Sequence, residues 1–347
     1  MRGRMGPPPG ELDCPHPMKA EDITLYRDPS SGVPLVIAAV EEQMDGLIKT
    51  GTIISEDGSH RYPIREFVPR FVRAENYARS FGLQWNRFRS VQLDSHTGLT
   101  LSRDRFFDTT GWLGDDLSGL RVLEAGCGAG RFTEVVLDTG TDLFSLDYSD
   151  SVDAVRLTLG QHSNLHLAQA DIYAIPFPEA FFDHIFCYGV LQHTPNPRRA
   201  FFNLLRHLKP GGLISIDIYR IRLLPSRWNS KYIWRPLTHK LNPEKLLKIL
   251  EWFVPRWLPF DSSLGRIPLL GRAISSIIPC WNYAGIFPLT PDQLKTWAIL
   301  DTFDALSARY DKPASLGTVK RWFTEAGLTD IQVRPGGNGI IGNGKRP

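Results

Sequence analysis

"VLEAGCGAGRF", residues 122–132, sets an apolar run with an acidic tip against glycines at 126, 128 and 130, followed by a helix-like stretch. Three residues without side chains, at alternate positions, let the backbone approach a ligand closely. A strand feeding a helix through such a turn also directs backbone N–H groups and the positive helix end at an anion. The dinucleotide fingerprint GxGxxG would require glycine at 131, where this chain has Arg131. Its spacing is Glu124-x-Gly126-x-Gly128-x-Gly130. A glycine turn alone is a weak signal, shared with plain tight turns.

Its neighbours strengthen it. From residue 120 the chain alternates strand and helix: "LRVLEAG" then "RFTEVVLDTG", "DLFSLD" then "SVDAVRLTLG", "LHLAQAD", and "FDHIFCYGV". Helix "RRAFFNLLRHL" is expected to stop at Pro210-Gly211-Gly212, with "LISIDIY" as a fifth strand. Such alternation implies an α/β fold, a parallel sheet with helices on both faces. Asp147 ends the second strand, where a carboxylate accepts from a ribose diol; Asp171 ends the third, placed to accept from an exocyclic amine. The fourth strand runs into "CYGVLQHT". These tips share the carboxyl edge of the sheet, where open α/β sheets bind ligands. The ligand so described offers a diol, an amine and an acidic or zwitterionic end.

The ordered motifs "VLEAGCGAGRF", "LDYSDSV", "QADIYAIPF", "FDHIFCYGVLQHT" and "LKPGG" resemble the class I S-adenosylmethionine-dependent methyltransferases. The resemblance covers residues 119–219 and, more faintly, 316–345. It implies a seven-stranded, mostly parallel Rossmann-like sheet with S-adenosylmethionine as cofactor. It places Gly126, Gly128 and Gly130 beside the methionine moiety, Asp147 and Tyr148 at the ribose, and Asp171 with Ile172 around the adenine. Glu124 would steady the turn or reach the methionine amino group through water. Cys127 would be a small, inert residue of the turn, and Tyr188 would shape the pocket. Residues 43–72 resemble a zinc-ribbon-like module that precedes such domains, through "RYPIREFVPRFV", but its metal-binding cysteines are missing, so no zinc is expected.

The chain of 347 residues carries a formal net charge of +3, too small to argue for nucleic acid. Four scattered cysteines form no CxxC pair, which excludes a zinc ribbon or a disulfide framework as the organising element. An apolar signal segment and an apolar run of about 18 residues are both lacking, and the expected location is cytoplasmic. The organisation read from composition is an irregular N-terminus (1–32), a small β-rich unit (33–72), a helical approach segment (73–118), the cofactor-binding core (119–219), a helical insertion after strand five (220–315), and a closing helix with strands (316–347). Within the insertion, Asn242 and Pro243 start a helix that Pro255 is expected to end, and Thr290 with Gln293 forms a capping box for another.

Between Arg220 and Trp281 eleven Lys/Arg face three Asp/Glu, a net of +8, and five of the nine tryptophans fall in the same window. That segment reads either as a lid with solvated charges or as a surface for an anionic or lipid-linked acceptor, including an anionic membrane. No motif names the acceptor atom, which can be O, N or C on a small or carrier-linked molecule. His193 in "LQHT" is the candidate base, with a capping role as its alternative, and Tyr219 a second candidate. Gln84, Trp85, Arg103 and Arg105 are expected to cover the cofactor. Arg131 is expected to contact an acid, Glu134 or the 114–116 stretch among them. Asp301, Asp304 and Tyr310 could close over the site, with solvation on a helix surface as the first reading of each. Two other function classes remain open: a non-catalytic scaffold or S-adenosylmethionine sensor, and a nicotinamide-dependent oxidoreductase, which Arg131 disfavours.

Overall fold

Asp45 and Gly46 both adopt positive φ, 50° and 80°. Such a two-residue turn matches the twist of a tight hairpin, and it joins β1 (Leu35–Met44) to β2 (Leu47–Ser55). β3 (Arg61–Arg65) and β4 (Val68–Pro69) complete an antiparallel sheet in the order β1-β2-β3-β4. The computed structural model describes residues 18–73, 75–113, 117–222, 227–264, 267, 271, 273–274 and 277–347, with the backbone alone at 227–229. The 114–116 stretch considered for Arg131 therefore lies outside the described residues. A single 3-10 turn, Ala20–Leu25, precedes the sheet, and Met18 and Tyr26 are buried beside it.

This small sheet is tied directly to the larger one. Phe71 N–H donates to the Gln169 carbonyl at 2.8 Å. The buried Arg70 guanidinium donates to Asp153 at 2.6 Å and to Gln169 Oε1 at 3.1 Å. Ile48, Ile53 and Ile64 share one apolar cluster with Leu123, Phe144 and Ile185 of the main sheet. The approach segment follows as α1 (Arg79–Arg87), the short α2 (Asp94–Thr97) and α3 (Leu101–Thr110).

The main sheet is built from β5 (Arg121–Ala125), β6 (Asp142–Asp147), β7 (Leu165–Gln169), β8 (Phe182–Cys187), β9 (Leu208–Ile218), β10 (Thr329–Gly336) and β11 (Gly339–Lys345). Its order is β10-β11-β9-β8-β5-β6-β7. β5 pairs in parallel with β6 on one side and β8 on the other, so the topological switch point lies at the glycine turn. β10 and β11 form the antiparallel hairpin against β9. The connecting helices are α4 (Arg131–Leu137), α5 (Val152–Leu159) and α6 (Pro197–His207). The helix α6 ends sooner, and β9 starts sooner, than the Pro-Gly-Gly signal suggested. Lys209–Gly212 already belong to β9, and Gly212 passes so close to its neighbour that a Cβ would stand 2.6 Å from the Asp183 carbonyl oxygen.

After β9 come α7 (Arg227–Thr238), α8 (Pro243–Leu264) and α9 (Pro291–Ser307), then α10 (Leu316–Glu325) before the hairpin. Helix α8 runs through Pro255 and Pro259 instead of ending at the first. A proline removes one backbone bond and kinks a helix, at a cost of about 3 kcal/mol. Packing opposes that cost: Val254 is fully buried, and Trp257 and Leu258 join a cluster formed with α9 and Phe88. The Thr290/Gln293 capping box is formed, with Thr290 N–H donating to Gln293 at 2.9 Å.

One buried carboxyl group joins β5, β6 and α4. Glu124 accepts from Thr133 Oγ1 at 2.6 Å and from Ser145 Oγ at 2.7 Å. Burial pushes its pKa up to about 7, against the two hydrogen bonds that pull it down. A group whose folded pKa exceeds its unfolded value of 4.5 loses stability as pH rises between the two. The wild type should therefore lose stability relative to Glu124→Gln from pH 4.5 to about 7, by up to roughly 3 kcal/mol. Urea unfolding of both proteins across that range checks this, and a pH-independent difference refutes it.

Candidate functional site

A cavity of about 640 Å³ opens over the carboxyl ends of β5, β6, β8 and β9. Its floor is the glycine turn. Gly126, Gly128 and Gly130 all take positive φ, at 90°, 54° and 92°. A Cβ at 126 would stand 2.1 Å from Val190 Cγ2, and one at 130 would stand 2.8 Å from Leu159 Cδ1. At 128 a Cβ would point at the Trp85 indole, 3.3 Å away.

The N–H groups of the three glycines and of Cys127 are committed inward, so they do not form the row of anion donors that the sequence suggested. Gly126 and Cys127 donate to the Leu146 carbonyl, Gly130 to the Cys127 carbonyl, and Gly128 to Asp147 Oδ2 at 3.1 Å. The glycines thus supply close approach rather than hydrogen-bond donors.

Asp147 is the first of these. Its Oδ1 accepts from Ser149 N–H at 2.8 Å and Ser149 Oγ at 2.7 Å, while Oδ2, among the described residues, accepts only from Gly128 and keeps room for a further donor. Burial raises its pKa, opposed by these bonds. Tyr148 lines the same wall, stacked on Tyr77 at 4.7 Å between ring centroids, and Ile172 closes it. Asp171 stands beside this wall without lining the cavity; it accepts from Tyr173 N–H at 2.9 Å. Glu124 and Gly130 likewise lie behind the cavity surface. Cys127 lines it, with a thiol that burial holds protonated. Tyr188 shares a hydrogen bond with Ser215 at 2.6 Å, and burial raises its phenol well above the usual range.

The opposite wall comes from outside the sheet. His193 Nδ1 lies 2.9 Å from the Tyr310 carbonyl oxygen, which can only accept, so Nδ1 carries a proton and, in the neutral imidazole, Nε2 is the nitrogen with the lone pair. Its ring packs on Phe81 and edge-on against Tyr219. Tyr219 donates to Asp304 at 3.3 Å, and Lys231 sits over its ring at 4.3 Å. Lys231 is itself paired with the buried Asp311. Both candidate catalytic residues therefore line one cavity, with their rings in contact.

Asp301 and Asp304 also line the cavity and are not solvated surface groups. Burial lifts Asp301 to about 7, although Tyr283 donates to it. Tyr310 makes ring contact with Tyr77 at 5.2 Å. Of the approach residues, Trp85 and Arg105 line the cavity; Gln84 is buried away from it, and Arg103 lies over Phe107. Arg131 does not pair with Glu134, which accepts instead from Asp94 and Ser95 N–H. Its Nε donates to Ser102 at 3.0 Å, its guanidinium lies over Phe132 and Trp297, and burial lowers its pKa to about 10.

Several lining residues escaped sequence reasoning. Trp281, Tyr283, Phe287 and Trp297 form an aromatic wall from the insertion, and Val190, Asn338 and Gly337 complete the rim. Beneath the rim, Asp217 binds Arg105 at 2.7 Å and accepts from Asn338. The tryptophan enrichment of the insertion was the only signal for any of these.

Residues 123–216 match a family model described as a methyltransferase domain. The malonyl-[acyl-carrier protein] O-methyltransferase of Enterobacter lignolyticus is 32% identical over 127 residues, 37% of this chain and 49% of that protein. The ubiquinone biosynthesis O-methyltransferase of Azoarcus sp. is 32% identical over 102 residues, 28% of this chain and 43% of that protein. An S-adenosylmethionine-dependent methyltransferase structure from Mesorhizobium loti is 25% identical, with a TM-score of 0.28, over 30% of this chain and 49% of that one. The chain spans about half, or less, of the length of these relatives, and the family model covers the glycine turn and most of β5 to β9. Residues 123–216 constitute a class I S-adenosylmethionine-dependent methyltransferase domain, set between an N-terminal sheet and a helical insertion.

Proposed function

We propose that this chain transfers a methyl group from S-adenosylmethionine to an ionisable hydroxyl on an apolar or aromatic acceptor, free or carrier-linked. The observation that carries the reading is one cavity walled on one side by the glycine turn with Asp147, and on the other by His193 and the aromatic residues of the insertion. The cradle fits the cofactor: at Gly126 and Gly128 the cavity is lined by bare backbone, and Asp147 Oδ2 keeps an acceptor position for a ribose hydroxyl. The names of the two curated relatives, both O-methyltransferases, agree with an oxygen nucleophile.

When bound, S-adenosylmethionine supplies an electrophilic methyl carbon on a positively charged sulfur. The chain's task is then to orient, exclude water and move one proton. Gly126 and Gly128 admit the ligand against the backbone, while Asp147 fixes one end and Tyr148 with Ile172 packs the other. Trp281, Tyr283, Phe287 and Trp297 hold an apolar acceptor away from water, an orientation effect that lowers the entropic part of the barrier. His193 takes the acceptor proton on Nε2, since Tyr310 fixes the proton on Nδ1. Tyr219, held by Asp304 and Lys231, keeps the imidazole in place.

Two outcomes follow from these roles. Asp147→Ala removes one charge-assisted contact, so calorimetric titration with S-adenosylhomocysteine should show a loss of roughly ten- to over a hundredfold in affinity. A folded wild type that binds no S-adenosylhomocysteine overturns the reading. His193→Gln should lower radiolabelled methyl transfer to a phenolic acceptor by about 10²- to 10⁴-fold, with S-adenosylhomocysteine binding retained. Turnover unaffected by the substitution would assign the proton transfer elsewhere.

A further inference from the structure

The exposed apolar surface of this protein is concentrated in one place. Of seventeen exposed large apolar side chains among the described residues, twelve lie between Ile221 and Ile286. On α8, Ile249, Trp252 and Phe260 follow one another with Arg256 at three- or four-residue spacing, which puts them on one helix face. The opposite face, Leu246, Leu247, Leu250 and Val254, is buried in the cluster with α9. On α7, Ile233 and Leu237 stand four residues apart and Trp234 beside them, all exposed. The Trp234 indole donates to the Ile277 carbonyl at 2.7 Å, so the exposed Ile277 is held against α7.

The charges sort by side. The two acids at the start and middle of α8 are turned toward α1: Glu244 meets Arg79 at 3.5 Å and Glu251 meets Arg87 at 3.2 Å. Lys231 and Arg235 are turned inward, onto the buried Asp311. What remains at the surface beside the apolar face is cationic: Lys240, Lys245, Lys248 and Arg256, none of which makes an ion pair among the described residues. Arg256 lies over the Trp252 ring at 4.7 Å, a cation resting on an exposed indole. An apolar stripe bordered by long cationic side chains and a tryptophan is the chemistry of the interface between lipid headgroups and acyl chains.

We propose that the outer faces of α7 and α8 seat this protein on an anionic lipid bilayer. Among the described residues no helix is long and apolar enough to cross a membrane, so the helices lie in the interface plane. Lys231 and Tyr232 of α7 also line the cavity, so the seating surface and the cavity belong to the same helix. The proposal stands on surface chemistry and does not depend on methyl transfer.

Co-sedimentation of the full chain with vesicles tests it. Binding is expected to phosphatidylcholine vesicles containing about 30% phosphatidylglycerol at low salt, weak binding to phosphatidylcholine alone, and release at about 0.5 M salt. Lys245→Glu with Lys248→Glu should lower affinity for the anionic vesicles by roughly tenfold or more. Trp252→Ser with Phe260→Ser should weaken binding even at low salt, and thermal melting by circular dichroism confirms that both variants are folded. No binding to anionic vesicles by the folded wild type overturns the proposal, as does binding that neither variant weakens. Self-association without lipid binding, abolished by Trp252→Ser with Phe260→Ser, also overturns it and makes the same face a protein interface.

Discussion

A buried carboxyl group at the end of β5 is the constraint around which the ligand-binding edge is organised. Glu124 takes one hydroxyl from β6 and one from α4, and the glycine turn is the only chain between β5 and α4. Fixing those three elements fixes where the turn passes. The turn in turn leaves no room for side chains at 126 and 130, because Val190 and Leu159 already occupy the space. The geometry is therefore over-determined: a hydrogen-bonded anchor on one side and packed apolar atoms on the other.

The cavity joins two kinds of structure with different origins. One wall is sheet edge, where strand order reverses and the chain tips converge. The other is assembled from α1, α7, α9 and residues 281–287, held by the cluster of Phe88, Leu250, Val254, Ala298 and Phe303. The family-model match, residues 123–216, contains the first wall and His193 of the second. The insertion contributes α7, α9 and residues 281–287 to the second wall.

The insertion also shows how packing redirects local signals. Pro255 reads as a helix end because it forfeits a backbone bond, yet α8 continues to Leu264 with Val254, Trp257 and Leu258 set against the core. Asp301 and Asp304 lie on a helix whose sequence suggests a solvated face, yet both line the cavity. Helical periodicity says which residues share a face; it does not say whether solvent or another helix meets that face. Arg131 illustrates the same limit: an acid stands three residues away at Glu134, but the backbone N–H groups at the start of α2 take that acid instead.

Local sequence patterns were enough for the alternation of strands and helices, the glycine turn, and the strand-end positions of Glu124 and Asp147; Asp171, read as ending the third strand, lies two residues past its end at Gln169. These patterns are legible because strand and helix periods, and the demand for glycine at positive φ, are local properties of the chain. Composition also marked the insertion as basic and rich in tryptophan. Three-dimensional packing was needed to bring His193 and Tyr219 into one cavity, to set a proton on the Nδ1 of His193 through Tyr310, and to commit the glycine N–H groups of the turn inward. It alone separated the charges of α7 and α8 into an inward, paired set and an outward, cationic one. Those outcomes depend on contacts between residues far apart in the chain, as between His193 and Tyr310, and no spacing rule encodes them.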